Sequence, residues 1–494
     1  MDGAKFNLHP GKPDSGPAAA PGLHPSTAGH KWWVLLTIGV GSVLGAVDLS
    51  VANIVLPVVR RQFACSVATI EWAVTIYLLV VCGFLLSFGR LADLRGQKRL
   101  YMIGTVVFVL GSAACGAAWS APALIAARAF QALGSSMIFA CAPAILTGNF
   151  PSAQRGQALG LQAIMIYLGQ MMGPALGGWL TDHFSWRAVF YINLPVGIMV
   201  LLLSTKFIPR DEPKRQVEPF DFAGGGLFLA GFIVLMLGLN QGYDWGWTSP
   251  SIQALLVGAV LLLAVFVFLE YRLAHPLLDL NLFREPQFAM SVASAVLNYI
   301  SVYTITFLMP FYLIQGRGLL PGRAGLLITV QPAVMTISAP ISGIVSDRLG
   351  TRWLSVAGMA ILGTGLLMLS RLQPGTPLAY VNVALGVCGL GTGMFITPNN
   401  SALMGAAPAH RQGIAAGVLG TARYVGMILG VGLAGAVFTT FLNRHTPTAL
   451  FEGIRASFLV ASISGFVGAL TSAVRKEGVA DEDIPSLPAG GDSR

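Results

Sequence analysis

Three ionisable residues lie deep inside otherwise apolar stretches of this 494-residue chain: Asp48, Arg128 and Arg423. Burying a charge in an apolar medium is costly, so such residues are expected to pair or to handle protons. Asp48 is the one carboxylate that the sequence places well within an apolar run. Glu71, Asp182, Asp221 and Glu270 fall near the ends of such runs, where they are expected to reach an interface. A carboxylate holds its proton more firmly when desolvated and gives it up more readily beside a cation. An acid that alternates between those surroundings can carry protons. Asp48 is therefore the candidate proton carrier and Arg128 the charge that tunes it; a static ion pair that only fixes packing is the alternative. Gln131 lies one turn from Arg128 on the same helix face. It is placed to hydrogen-bond that residue and is a candidate for substrate contact. Arg423 has no obvious carboxylate partner, and its role stays open.

The stretches that must position these residues dominate the composition. Of the chain, 54% is hydrophobic and only 10% is charged, where soluble proteins carry about 25% charge. That excludes an ordinary soluble enzyme, a disordered chain and a nucleic-acid-binding protein. A bilayer core needs about 20 apolar residues per helix. Fourteen stretches qualify: 33–58, 70–90, 100–118, 122–148, 156–182, 187–207, 222–240, 251–272, 288–315, 321–346, 353–371, 377–404, 412–442 and 456–474. The expected fold is an all-α membrane protein with both termini on one side. Loops on the side of the termini hold 17 Lys and Arg, against 8 on the other side. That bias predicts cytoplasmic termini. Residues 1–30, with five Pro and five Gly, read as a disordered cytoplasmic tail rather than a cleaved signal, as do residues 476–494.

Other chemistries find no residues. The five cysteines are scattered and form no cluster with histidines, so neither a disulfide scaffold nor a metal site is indicated. No GxxxxGK[ST] loop, HExxH or GxSxG occurs, which argues against an ATP-driven pump and an intramembrane enzyme. No cofactor is expected.

The chain repeats itself. Gly89-x3-Asp93-x2-Gly96-x-Lys98 recurs as Gly343-x3-Asp347-x2-Gly350-x-Arg352, at an offset of 254. Gly156, Gly160, Gly169, Gly173 and Gly178 recur as Gly413, Gly417, Gly426, Gly430 and Gly435, at an offset of 257. The repeat joins the second helix to the tenth and the fifth to the thirteenth. The unit is thus six helices: a bundle over 31–207, a linker with two extra helices over 208–273, and a second bundle over 274–475. Two such units around a midplane cavity are the plan of a secondary transporter. In the repeated loop, Asp93 is expected to pair with Arg90, Arg95, Lys98 and Arg99 and to latch one conformation, with a positively charged topogenic loop as the plainer reading, while Gly89 permits close helix approach and Gly96 a tight turn. On the ninth helix Tyr299, Tyr303, Phe307 and Phe311 recur every four residues, with Asn298 beside them. This stripe either lines the cavity, where it could stack on flat lipophilic cations, or packs. Gln331, Asn399 and Asn400 are weaker lining candidates.

Several segments carry a family resemblance. The loop GRLADLRGQKR (89–99) resembles the signature loop of the major facilitator superfamily. AVDLSVANIVLP (46–57), RAFQALG (128–134), GPALGG (173–178), WRAVFYINLPVG (186–197), HPLLDLNLF (275–283) and ARYVG (422–426) resemble its fourteen-helix drug:proton antiporters, the EmrB/QacA-type exporters. Ala132 stands where the family commonly has glycine. The resemblance implies the major-facilitator fold and proton coupling through Asp48 and Arg128. It implies an antiporter signature at the interface of the halves in Gly173, Pro174, Gly177 and Gly178. The implied activity is proton-coupled export of hydrophobic, cationic compounds by alternating access, with a dedicated exporter of one metabolite, lipid or antibiotic as the alternative. The implied partners are a small lipophilic substrate, protons, the lipid bilayer of an inner membrane and, in some settings, a periplasmic adaptor. The second half lacks the extra intramembrane acid of some relatives, so selectivity for divalent cations is not expected.

Overall fold

The computed structural model describes residues 29–151, 154–211, 222–242, 245–272, 280–408, 412–442, 446 and 448–474. Residues 1–28 and 476–494 of the tails expected to be disordered, Asp221, and the side chains of Asp93 and Asp347 lie outside that description. Among the described residues there is no strand, and fourteen helices are long and apolar enough to cross a bilayer. The first six are α1 (His30–Phe63), α2 (Val67–Leu85), α3 (Gln97–Ala117), α4 (Ala121–Asn149), α5 (Arg155–His183) and α6 (Ala188–Phe207). Two follow between the halves, α7 (Gly224–Gln241) and α8 (Pro250–Arg272). The last six are α9 (Pro286–Gly316), α10 (Pro321–Ser346), α11 (Thr351–Leu369), α12 (Leu378–Gly405), α13 (Ile414–Leu442) and α14 (Ala449–Ala473).

Local chemistry sets the ends of these helices. The Ser66 and Ser120 side chains accept the backbone N–H groups of Thr69 and Ala123, capping α2 and α4. Pro286 and Pro321 open α9 and α10, where a missing N–H costs nothing. The helix of α2 continues to Arg95 and then breaks at Gly96, whose φ is 103°. Its repeat partner Gly350, φ 82°, breaks the chain between α10 and α11 in the same way. Both dihedrals are ones a side chain resists, so the repeated loop needs glycine at its turn.

The second repeated series fixes how helices meet. Gly169, Gly173 and Gly177 of α5 face α1: a Cβ there would meet Ala46 and Val43, Ser50, and Val51 in turn. Gly426 and Gly430 of α13 face α9 at Val296, Tyr299 and Ile300. Small residues at this spacing let two backbones approach closely without lipid between them. Gly178 then turns from its own half to touch Pro321 of α10, and its counterpart Gly435 touches Glu71 of α2. The two halves therefore grip each other by symmetry-related contacts, α5 on α10 and α13 on α2.

The extra helices occupy a seam. α7 packs along α2, where Gly83 receives Leu229, and along α13, where Gly432 receives Met236. Asn240 near its end donates to the Ala68 carbonyl at 2.9 Å and accepts from Trp72 Nε1 at 3.1 Å. α8 leans on α7 through Phe228 and Phe266, ring centres 5.2 Å apart, and turns Val260, Leu261, Val265 and Phe268 outward as a lipid-facing surface. This packing corrects one expectation. Glu71 and Glu270 do not reach an interface: each is 2% exposed. Glu71 sits near the end of its own helix, but α7 and α13 cover it, with Asn240 Nδ2 at 3.4 Å and the side-chain-free surface of Gly435 against it. Position along one helix does not reveal what its neighbours cover.

Candidate functional site

Asp48 is buried within the first six-helix half, where α1, α3, α4 and α6 converge. Its Oδ2 accepts from Arg128 Nη1 at 2.7 Å. Its Oδ1 accepts from Gln131 Nε2 at 2.8 Å and from Asn193 Nδ2 at 2.7 Å. The two amides also share the Ser112 hydroxyl, at 2.7 Å and 3.2 Å. Arg128 Nη1 donates further to Gln131 Oε1 at 2.7 Å, and Nε donates to the Ala73 carbonyl of α2 at 3.2 Å. The guanidinium lies over the Tyr77 ring, 4.1 Å from its centre, and the Tyr77 hydroxyl donates to Ser135. Every member of the Asp48, Ser112, Arg128, Gln131 and Asn193 cluster is at most 1% exposed. A charged pair so buried needs this many donors to offset its lost hydration. Three donors around one carboxylate fit its ionised form, which only accepts.

Between the halves lies a second, separate space, a cavity of about 60 Å³. Leu49, Ser50, Tyr167, Pro174, Tyr299 and Tyr303 are among its walls, with Gln170 and Gln331 as polar members. Among the described residues no carboxylate is on its wall. A drug-sized ligand needs several hundred Å³, so the cavity here is contracted. It is sealed at the face opposite the start of α1 and the end of α14. There Gly178 meets the Pro321 carbonyl and Gly325 meets the Pro174 carbonyl. Asp182 Oδ2 accepts from the Gly322 N–H at 2.8 Å, and Arg60 Nη1 donates to Gln315 at 2.9 Å. At the other face, a Cβ built on Gly89, Gly156, Gly160 or Gly405 would meet nothing within 4 Å.

The structure divides the residues expected to bind substrate. Tyr299 and Tyr303 border the cavity. Gln131 does not; its amide is committed to Asp48, Arg128 and Ser112. Phe307 is fully buried, its ring tilted against that of Phe311 with centres 5.4 Å apart, and Asn298 is fully buried with its amide against Met359. One turn of the aromatic stripe faces the cavity and the next faces packed helices, because repeats of four drift around a helix of 3.6 residues per turn. Of the polar residues noted in the second half, Gln331 lines the cavity and Asn399 is buried against the Ser291 carbonyl.

In the repeated loop the pairing expected of Asp93 falls on a side chain outside the described residues. Lys98 Nζ donates to the Thr205 and Ile208 carbonyls at the end of α6. Cations are favourable at helix C-termini. Asp211, beyond α6, accepts the backbone N–H groups of Lys98 and Arg99 at 2.9 and 3.0 Å and so caps α3. Arg352 in the second copy lies beside Trp353, 5.4 Å from the ring centre. Arg95 sits in the last turn of the α2 helix. Asn193, Ser112, Tyr77 and Asp211 escaped the sequence reading. The signal for Asn193 was present, an amide inside an apolar span; Ser112 and Tyr77 are residues of kinds that packing alone explains, and Asp211 is an exposed loop carboxylate whose partners lie over a hundred residues away.

Two pseudo-symmetric six-helix halves enclosing a midplane cavity define a secondary transporter. The chain belongs to the Major Facilitator Superfamily, which it matches over residues 38–431 and 292–487. It is 32% identical over 445 residues to the riboflavin transporter RibZ of Clostridioides difficile, covering 89% of this chain and 96% of that one. It is 34% identical over 437 residues to the multidrug resistance protein Stp of Mycobacterium tuberculosis, covering 87% and 81%. Among solved structures, a bacterial homologue of the human lysosomal transporter Spinster, inward-facing and unoccupied, shares the fold at a TM-score of 0.68 and 15% identity, covering 92% of this chain and 97% of that one.

Proposed function

We propose that this transporter is a proton-coupled exporter of amphipathic aromatic compounds, with both termini in the cytoplasm of a cell bounded by the membrane it spans. The observation that carries the reading is the buried Asp48–Arg128 pair, held by amides from two further helices. The excess of basic residues beside the termini supports the orientation. With that orientation the Gly178–Pro321 seal is external, and the conformation is closed to the outside.

The cycle follows from the geometry. With the outer seal closed, Asp48 is ionised and paired, and a compound enters the cavity from the cytoplasm or inner leaflet. The halves rock, and the cavity opens outward. A proton taken up at Asp48 removes the charge that Arg128 answers and loosens α1 from α4. Since Leu49 and Ser50 of α1 form cavity wall, that loosening reshapes the cavity and favours release. Return to the inward state gives the proton to the cytoplasm, so the gradient drives export. The expectation of a cationic substrate has no carboxylate on the cavity wall to support it.

Everted vesicles with an acidified lumen test the proposal. Adding a transported aromatic compound should release lumenal protons, and Asp48→Asn should abolish the release at equal expression. Wild-type vesicles that release no protons for any of a panel of anionic, neutral and cationic aromatics would sink it. The relative named as a riboflavin transporter favours a second reading, a dedicated carrier of one planar metabolite. Competition separates the two: unrelated aromatics displace one another only in a multidrug exporter.

A further inference from the structure

Arg423 is the second arginine deep inside the spanning helices, and among the described residues no carboxylate answers it as Asp48 answers Arg128. Its Nε is buried with no hydrogen-bond acceptor. Its guanidinium carbon lies 5.5 Å from the centre of the Tyr299 ring. Tyr167, Tyr303 and Tyr424 are the other groups within electrostatic reach, and all are neutral phenols. Tyr167, Tyr299 and Tyr303 are cavity wall. Arg423 itself is partly buried, and its guanidinium stands beside Tyr299, a wall residue of a cavity that has no carboxylate among its described lining. A guanidinium is always charged, and a charge at this depth is expensive without a counter-charge. Ring faces and phenol dipoles offset part of that cost.

We infer that the missing anion arrives with the substrate: the cavity takes a flat aromatic compound bearing an acidic group, a carboxylate or an ionised phenol. Its rings lie among Tyr167, Tyr299 and Tyr303, and its acid reaches Arg423. Gln170 and Gln331 are within the same wall and can hold neutral oxygens. This assignment rests on the export reading for its biological sense, but not for its test.

Fluorescein and rhodamine 6G share a xanthene frame and differ in charge. Their equilibrium binding to the full chain in lipid nanodiscs, with empty nanodiscs subtracted, needs no gradient. At a pH where fluorescein is ionised, the wild type should bind it about tenfold or more tighter than rhodamine 6G, the scale of one charge-assisted hydrogen bond. Arg423→Gln should lose that advantage and leave rhodamine 6G unchanged, while Arg423→Lys should keep part of it. The wild-type comparison stands even where a variant folds poorly. Equal or tighter binding of rhodamine 6G, binding of neither dye, or an unchanged fluorescein affinity in a folded Arg423→Gln chain overturns the assignment. Fluorescein selectivity in nanodiscs without proton release in vesicles would keep the substrate class and discard antiport; proton release with cations and no fluorescein binding would do the reverse.

Discussion

Asp48 and Ser50, two residues apart on α1, face different compartments. The Asp48 carboxylate is sealed among Arg128, Gln131 and Asn193 inside the first half, whereas Ser50 borders the central cavity and lies against Gly173 of α5. The buried carboxylate and the central cavity are therefore separate, and a single helix is common to both. In the proposed cycle this makes coupling mechanical: the charge state of Asp48 would set how tightly α1 is held to α4 and α6, and α1 carries wall residues of the cavity.

The pair predicts a thermodynamic cycle. Asp48→Asn and Arg128→Gln each leave one side of a buried ion pair unanswered, at a cost of about 3–5 kcal/mol. The double variant buries no uncompensated charge and should recover much of the loss. Proton release should be absent in all three. Thermal midpoints of the purified chains check the first statement and everted vesicles the second. A double variant less stable than both singles would show that the two side chains are not coupled.

The fold was legible because its signals are local. Apolar runs gave the fourteen helices, and glycine series at offsets of 254 and 257 gave the two halves. The Asp48–Arg128 pair was legible for the same reason, since a charge inside an apolar run stands out. Ser112 did not stand out because a serine hydroxyl is tolerated inside a helix by bonding to the preceding turn, and Tyr77 because an aromatic ring in an apolar helix is explained by packing alone. The aromatic stripe could not be divided between cavity and core, as that depends on where α13 and α10 sit around α9. The carbonyls that Lys98 reaches could not be read from its loop, because they belong to the end of α6, more than a hundred residues away.

The Gly178–Pro321 seal predicts a conformational lock. A Cβ at Gly178 would collide with the Pro321 carbonyl, and one at Gly325 with the Pro174 carbonyl. Backbone cannot rotate aside as a side chain can. Gly178→Val should therefore disfavour closure at that face and abolish export, and Gly325→Val should do the same. A cysteine placed at Gln170 should become more reactive to an impermeant maleimide added outside. Gly148→Ala, where nothing lies within 4 Å, is the control. Wild-type export by Gly178→Val would show that the contact is dispensable.

Asp211 offers a test of the repeated loop. Its carboxylate caps α3 through the Lys98 and Arg99 N–H groups. Asp211→Ala should cost about 1 kcal/mol, the usual value of a lost cap. Asp211→Asn keeps an acceptor and should cost less. Both belong in a thermal-unfolding comparison, and equal midpoints for wild type and Asp211→Ala would mean that the cap contributes nothing.

Orientation has a native reporter. Of the five cysteines, Cys82, Cys115, Cys141 and Cys388 are buried, and only Cys65 is partly exposed. It lies in the turn between α1 and α2, which the basic-residue bias puts outside the cell. Impermeant maleimide should label intact cells at Cys65 and fail to label Cys65→Ser. Burial pushes the Cys65 thiol up from its ordinary value, more than the nearby Arg60 lowers it. Less thiolate is then present at neutral pH, and the thiolate is the reacting form. Labelling should be slow at neutral pH and should still be climbing with pH where an ordinary exposed cysteine has levelled off. Labelling that occurs in everted vesicles and not in intact cells would invert the topology, and with it the direction in which the closed seal faces.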